Sequence, residues 1–200
     1  MIRARLTLTL LLGYAQSARA EDPAVVLQSV LDDLSSLWVP LNQDPTASYD
    51  SRRAWTVNLV NQRFDFPHMS RSSLGSRWNR LSDQEREAYR ALFRPALIEN
   101  VIDWLDAYVD QNFEIKSVRP SGRNTEIITR FTQVNGITVT VTWVTRETSG
   151  IFLFRDVRVA GLSLIADFRG KYRQLIEREG FERFLEILAE DTAELRAQQS

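Results

Sequence analysis

The sequence predicts an α+β fold in which a curved antiparallel sheet is covered by helices. Apolar residues recur at helical spacing up to about residue 108 and again after residue 163, which indicates amphipathic helices at both ends. Residues 113–159 instead alternate between apolar and polar side chains, the period of two that marks strands. No linker and no internal repeat divides the chain, so residues 21–200 are expected to form one domain.

Residues 1–20 have the pattern of a secretory signal peptide. Arg3 and Arg5 precede a run of about ten apolar residues, and Ala18-Arg19-Ala20 puts small residues at the −3 and −1 positions before Glu21. Such a run is too short to cross the ~30 Å hydrocarbon core of a bilayer. We therefore expect a cleaved, soluble chain exported to the periplasm. The alternative is that this segment forms a buried N-terminal helix.

Three helices are predicted before residue 80. Asp22-Pro23 has the pattern of an N-cap followed by proline at the first helical position. A second helix is predicted near residues 50–62. Asp65, followed by Pro67, begins a third helix that extends to about Ser76.

Three more helices are predicted in the rest of the chain. Ser82 and Glu85 form a capping box, and the helix that it opens extends to about Tyr108, with a kink at Pro95 because proline has no N–H to donate. After the strands, Ser163 caps a helix that ends before Gly180. A last helix is predicted for residues 181–195.

The stretch NGITVTVTWVT, residues 135–145, shows the strand pattern most clearly, with threonines on one face and apolar side chains on the other. A two-residue turn at Asn135-Gly136 would place the preceding strand's Phe131 among the threonines. A three-residue loop (134–136) with Gly136 in the left-handed conformation instead pairs Phe131 with Val139 and Ile127 with Trp143, so we predict this register. Periodicity alone does not distinguish a packed core from a cavity beneath the apolar face.

The composition excludes several classes of function. Removing residues 1–20 takes away three of the 25 basic side chains and leaves all 26 acidic ones. The resulting negative charge argues against nucleic acid as a partner. Cysteine is absent, which rules out disulfides, thiol catalysis and a lipid-attachment cysteine. His68 is the single histidine, so a histidine-rich zinc site is impossible, and we expect no metal, no cofactor and no catalytic residue.

Two stretches carry a family resemblance. The first, FDFPHMSRSSLGSRWNRLSDQEREAYRALFRPALIENV, has an aromatic-Asp-Phe start, then Met, Leu-Gly, an aromatic residue, a Ser-capped helix and a Phe-bearing helix. The second, FRDVRVAGLSLIADFRGKYRQLIEREGFERFLEIL, contains Asp-Val-x-Val-x-Gly-x-Ser-Leu, then aromatic-Arg and a Gly before a Leu-rich helix. Over roughly residues 24–190 the chain resembles the MlaC-type periplasmic phospholipid-binding proteins, also called toluene-tolerance auxiliary proteins.

This resemblance implies an NTF2/cystatin-like half-barrel whose concave sheet and covering helices enclose a hydrophobic cavity for acyl chains. It also implies a monomeric carrier that is not an enzyme and binds no ATP. Such a carrier shuttles phospholipid between an outer-membrane lipoprotein–porin complex and an inner-membrane MCE-protein ABC transporter, which maintains the lipid asymmetry of the outer membrane.

Given the resemblance, we expect the alternating strand face to line the lipid cavity, with ordinary core as the alternative for each residue. The expected lipid-binding residues are Ile127, Phe131, Val139, Val141 and Trp143 from the sheet, with Met69, Leu74, Trp104, Tyr108, Leu164 and Phe168 from the helices. Residues 63–94 are rich in arginine, and residues 177–194 are rich in acids. We expect Arg77 and Arg80, in the basic region, to dock the membrane complexes.

Three alternatives stay open at this point. The chain could carry a polycyclic or isoprenoid lipid such as a hopanoid, an option that Phe152 and Phe154 leave open because a Trp is usual in that strand of the family. It could be a periplasmic docking subunit with a fully packed apolar face. An NTF2-like hydrolase or isomerase would need buried polar residues at the cavity floor. A large void between sheet and helices would favour a carrier over a docking subunit.

Overall fold

The computed structural model describes residues 22–33, 49–108, 112–132 and 136–199. The predicted signal peptide lies outside these ranges. The helices are α1 (Pro23–Asp33), α2 (Tyr49–Arg63), α3 (Phe66–Leu74), α4 (Asp83–Tyr108), α5 (Leu164–Glu179) and α6 (Phe181–Gln199), and a 3-10 segment (Gly75–Arg80) joins α3 to α4. None of these helices combines the length and the apolar character that crossing a membrane requires.

The strands form one antiparallel sheet in chain order, and within the described ranges this sheet does not close into a barrel. They are β1 (Asn112–Ser121), β2 (Asn124–Thr132), β3 (Thr138–Thr148), β4 (Ile151–Val159) and β5 (Leu162–Ser163). Bulges at Lys116 in β1 and Arg155 in β4 interrupt the pairing, and each bulge bends its strand. The predicted α+β class, an antiparallel sheet covered by helices, is confirmed.

The predicted register between β2 and β3 is also confirmed. Phe131 lies opposite Val139, and Ile127 lies opposite Trp143. Gly136 has a φ of 81°, the left-handed conformation expected at this position, whereas residues 134 and 135 of the predicted loop lie outside the described ranges. Because of this register, the apolar side chains of both strands share the face that packs against the helices.

The predicted helix starts agree with the structure. The Asp65 carboxylate accepts a hydrogen bond from the His68 backbone N–H at 3.1 Å. The capping box is complete, because the Glu85 carboxylate accepts from the Ser82 N–H at 2.7 Å and the Ser82 hydroxyl accepts from the Glu85 N–H at 3.2 Å. These local bonds satisfy N–H groups that a helix cannot satisfy internally.

Two helix ends differ from the prediction. Helix α3 stops at Leu74 rather than near Ser76, because Gly75 has a φ of 56° and the chain continues as a 3-10 segment. Helix α6 extends to Gln199 rather than to about Leu195, since Arg, Ala and Gln favour helix there and no Gly or Pro intervenes. Helix α4 continues past Pro95 to its predicted end.

Aromatic rings fill the interior between α4, α5 and α6. The ring centroids of Tyr89 and Phe93 are 5.3 Å apart, those of Phe93 and Phe168 are 5.7 Å apart, and those of Tyr172 and Phe184 are 5.0 Å apart. Burial raises the pKa of the Tyr89 phenol well above its usual value, so this hydroxyl stays protonated next to the Ser73 hydroxyl, 2.6 Å away. Any room for a ligand therefore has to lie elsewhere.

A buried carboxylate joins α2 to α4. Glu99 is fully buried and accepts hydrogen bonds from the Tyr49 hydroxyl and, at 2.9 Å, from Arg53 Nε. Burial, together with the neighbouring Glu99 carboxylate, raises the pKa of Tyr49 to about 12, so the phenol remains a donor at neutral pH. These bonds fix the position of α2, which supplies part of the cavity wall.

Candidate functional site

A cavity of about 410 Å³ lies between the sheet and helices α1, α2 and α4, with the start of α5 at its edge. Its volume is within the range of about 300–1,000 Å³ that is typical of small-molecule pockets. The lining is mostly apolar. It consists of Val30, Leu31, Trp55, Leu59, Phe64, Asn100, Val101, Trp104, Trp143, Phe154, Val157, Val159, Leu162, Ser163, Leu164, Ala166 and Asp167.

Aromatic rings form much of the cavity wall. The Trp143 ring centroid lies 5.8 Å from that of Trp104 and 5.5 Å from that of Phe154. Phe154 in turn contacts Phe64 edge to face, with centroids 5.6 Å apart. Such pairs resist collapse of the wall because each ring is held by its neighbours as well as by its own strand or helix.

The polar edge of Trp143 is satisfied within the sheet. Its indole Nε1–H donates to the Thr129 hydroxyl at 3.0 Å, and that hydroxyl donates to the Val141 carbonyl at 3.1 Å. Thr129 is fully buried, so these two bonds remove the cost of placing a hydroxyl and an indole N–H away from water. The indole can therefore offer an apolar surface to a ligand.

The tight turn between β4 and β5 forms the rim of the cavity. Ala160 and Gly161 both have positive φ, at 49° and 84°, and the Ala160 N–H donates to the Thr140 carbonyl at 2.9 Å. The turn places Leu162 at the rim, where this lining side chain is 78% exposed. At the other extreme Phe154 is 1% exposed, so the cavity leads from a closed end near Phe154 to an open mouth near Leu162.

The N-terminus of α5 lies beside the mouth, and two of its N–H groups are bonded to protein side chains. The Asp156 carboxylate accepts from the Ile165 N–H at 3.2 Å, and the Ser163 hydroxyl accepts from the Ala166 N–H at 3.0 Å. This explains two positions of the Asp-Val-x-Val-x-Gly-x-Ser-Leu motif, because Asp156 and Ser163 hold the helix start against the sheet. These two positions of the motif thus serve the architecture, whereas Val157, Val159 and Leu164 of the same motif line the cavity.

The structure brings three of the predicted lipid-binding residues to the cavity, namely Trp104, Trp143 and Leu164. Six others are buried in the core without lining it: Met69, Leu74, Ile127, Phe131, Val141 and Phe168. Val139 is half-buried and packs against that core, whereas the side chain of Tyr108 is outside the described part of the chain.

The predicted lipid-binding residues include none of the lining from β4, α1 and α2. In β4, Phe154 and Val157 are three residues apart yet share the inner face, because the bulge at Arg155 shifts the alternation by one residue. A strict period of two therefore misassigns this strand. Val30, Leu31 and Leu59 lie on amphipathic helices, and their helical spacing could have indicated a buried face but not a cavity.

The single histidine does not form a catalytic triad. His68 Nε2 lies 3.3 Å from the Ser72 hydroxyl, but the Asp65 carboxylate is used by the His68 backbone N–H and by Arg155 Nε at 2.8 Å. Burial and the positive charge of Arg155 lower the pKa of His68. In the described ranges no group of three or more His, Cys, Asp or Glu side chains is placed to hold a metal ion.

The predicted docking residues lie in the 3-10 segment before α4. Arg80 is exposed and Arg77 is half-buried. Nearby, the guanidinium groups of Arg86 and Arg90 stack on the Trp78 ring, with centroid distances of 5.6 and 4.9 Å. The arginine-rich segment, residues 63–94, thus lies mostly on helices and on the 3-10 segment rather than on the sheet.

Two of the three comparisons with known proteins find a match. A family model described as MlaC protein matches residues 29–190. Among solved structures, the chain is similar to a phospholipid-binding protein from Ralstonia solanacearum determined in complex with a phospholipid at 1.53 Å resolution. The TM-score is 0.70 at 19% sequence identity, and the match covers 88% of this chain and 99% of that one, a likeness that shows the fold. A search of curated proteins finds no match.

Proposed function

The chain belongs to the MlaC protein family, and from this premise we propose that it is a periplasmic lipid carrier, secreted by its signal peptide. Its cavity would hold phospholipid acyl chains. The carrier would shuttle lipid between an outer-membrane lipoprotein–porin complex and an inner-membrane MCE-protein ABC transporter, and so help to maintain outer-membrane lipid asymmetry. It acts as a monomeric binding protein rather than as an enzyme.

The observation that carries this proposal is the apolar cavity with a mouth at the protein surface. Burying one CH₂ group contributes ~0.8 kcal/mol, so a diacyl lipid with about 30 methylenes loses roughly 24 kcal/mol on entering water. A carrier must offset most of that loss by enclosing the chains. The Trp143 ring, whose indole N–H is bonded within the sheet, and the phenylalanine rings beside it supply such a surface.

Native mass spectrometry of residues 21–200, purified without detergent, tests the proposal. We expect an adduct of phospholipid mass that survives purification and is recovered by lipid extraction. An apo mass combined with no uptake from phospholipid liposomes would overturn the carrier and favour a docking subunit.

A polycyclic lipid is the second candidate, and the aromatic wall around Trp104, Trp143 and Phe154 favours it. A rigid fused-ring hydrocarbon presents broad apolar faces, which bury well against large aromatic side chains. The same extraction distinguishes the two ligands, because a hopanoid has neither phosphorus nor a glycerol ester.

Reversing the charge at Arg77 and Arg80 is expected to weaken binding to the inner-membrane complex by about tenfold without changing lipid content, because exposed charges steer and orient association. Surface plasmon resonance with the detergent-solubilised transporter measures the affinity. The matched control reverses Arg123 and Arg130, two exposed arginines on the β1–β2 hairpin and on β2. Unchanged affinity in the Arg77/Arg80 variant, or an equal loss in the control, would contradict this docking site.

A further inference from the structure

The carrier function leaves the lipid headgroup undefined, and the mouth of the cavity offers a basis for choosing one. We propose that Asp167, paired with Lys171, selects phospholipids whose headgroup is a primary ammonium. This inference rests on the proposed function, since it concerns the exposed end of a lipid held in the same cavity.

Asp167 is the one charged side chain among the cavity-lining residues of the described chain. It lies in the first turn of α5, and its carboxylate is 2.8 Å from Lys171 Nζ one turn later. The Asp167 side chain is 52% exposed and that of Lys171 is 70% exposed, so both remain accessible to a headgroup. Since the rest of the lining is apolar or neutral, Asp167 supplies the charge of the lining, and Lys171 is its partner.

Three polar donors in or beside the cavity lining are already used within the protein. The N–H groups of Ile165 and Ala166, which a helix N-terminus could otherwise offer to a phosphate, are bonded to Asp156 and Ser163. Asn100 Nδ2 is bonded to the Ala96 carbonyl at 2.8 Å. A phosphate cannot use these three groups, whereas Lys171 offers it an ammonium and Asp167 offers two carboxylate oxygens to a donor.

A zwitterionic headgroup complements this pair because it carries one positive and one negative group, each of which can face the residue of opposite charge. The ammonium can approach Asp167 while the phosphate approaches Lys171. A primary ammonium donates up to three hydrogen bonds to the carboxylate, whereas a quaternary ammonium has no N–H. A headgroup that ends in glycerol adds no positive charge to balance Asp167. The expected order of preference is phosphatidylethanolamine, then phosphatidylcholine, then phosphatidylglycerol.

The preference can be measured by competition. The full mature chain is incubated with vesicles of equal parts phosphatidylethanolamine, phosphatidylcholine and phosphatidylglycerol with identical acyl chains, reisolated, and its lipids are quantified by mass spectrometry. Contacts between exposed charges are weak, so we expect about threefold enrichment of phosphatidylethanolamine over phosphatidylcholine in the wild type. Asp167→Asn is expected to bring the ratio among the bound lipids close to that of the vesicles.

Asp83→Asn is the matched control. Asp83 is also an exposed first-turn aspartate, paired with Arg86 at 2.8 Å on α4, and it does not line the cavity. This variant should keep the wild-type enrichment. The inference is overturned if the wild type takes up lipids in the vesicle ratio, or if Asp167→Asn keeps the enrichment. Either result leaves the carrier function intact, whereas an absence of lipid from every sample would instead defeat the carrier function.

Discussion

Replacing Val157 with tryptophan is expected to lower the lipid content of the purified protein at least tenfold while the fold is retained. Val157 lines the cavity from β4, directly opposite Trp143 on β3. An indole in place of an isopropyl group would occupy space that an acyl chain needs. Exclusion of only two methylenes costs about 1.6 kcal/mol, which is already more than a factor of ten in affinity.

The measurement is lipid phosphorus per mole of protein, with circular dichroism and thermal unfolding to verify the fold. Val118→Trp is the matched control, because Val118 is a partly exposed strand residue outside the cavity lining. Its lipid content should equal that of the wild type. A folded Val157→Trp protein that carries the wild-type amount of lipid would show that the cavity is not the binding site.

Truncating Glu99 is expected to destabilise the protein by about 3 kcal/mol. Glu99→Ala removes the acceptor shared by Tyr49 and Arg53, and leaves a buried phenol and a largely buried guanidinium without this partner. Breaking a buried charge pair from one side typically costs ~3–5 kcal/mol, and the partial exposure of Arg53 places the value at the lower end. Urea unfolding at 25 °C measures the change.

Two further variants separate the buried bond from a general effect of losing a glutamate. Glu99→Gln keeps an acceptor for Tyr49 and should cost less than Glu99→Ala. Glu194→Ala, on the exposed face of α6, should change the free energy of unfolding by less than about 0.5 kcal/mol. A loss in Glu99→Ala no larger than this would mean that the contact contributes little to holding α2 on α4.

The sequence predicted features that depend on near neighbours in the chain. The caps at Asp65, Ser82 and Ser163 follow from bonds that span three residues, and the β2–β3 register follows from matching two adjacent apolar patterns. The fold class follows from the same local patterns, since their order restricts how sheet and helices can pack.

The lining of the cavity was harder to predict from the sequence, because it depends on distances between helices and strands. Val141 and Trp143 lie on the same face of the same strand, yet Val141 lies in packed core and Trp143 lies at the cavity. Alternation identifies the face of a residue but not how far the opposite helix stands from it. The bulge at Arg155 also makes the lining hard to predict, because no residue type in β4 indicates that the alternation shifts there.

Two N–H groups at the start of α5 are bonded to side chains that serve the fold rather than a ligand. Asp156 and Ser163 use their side chains to hold the helix on the sheet, and neither is needed to grip a ligand. The wall residues, in contrast, make few bonds beyond packing, so they tolerate exchange among apolar side chains of similar volume. Asp156 and Ser163 therefore identify the common scaffold. The ligand has to be inferred from the side chains that face the cavity, and Val157, Val159 and Leu164 of the same motif are among them.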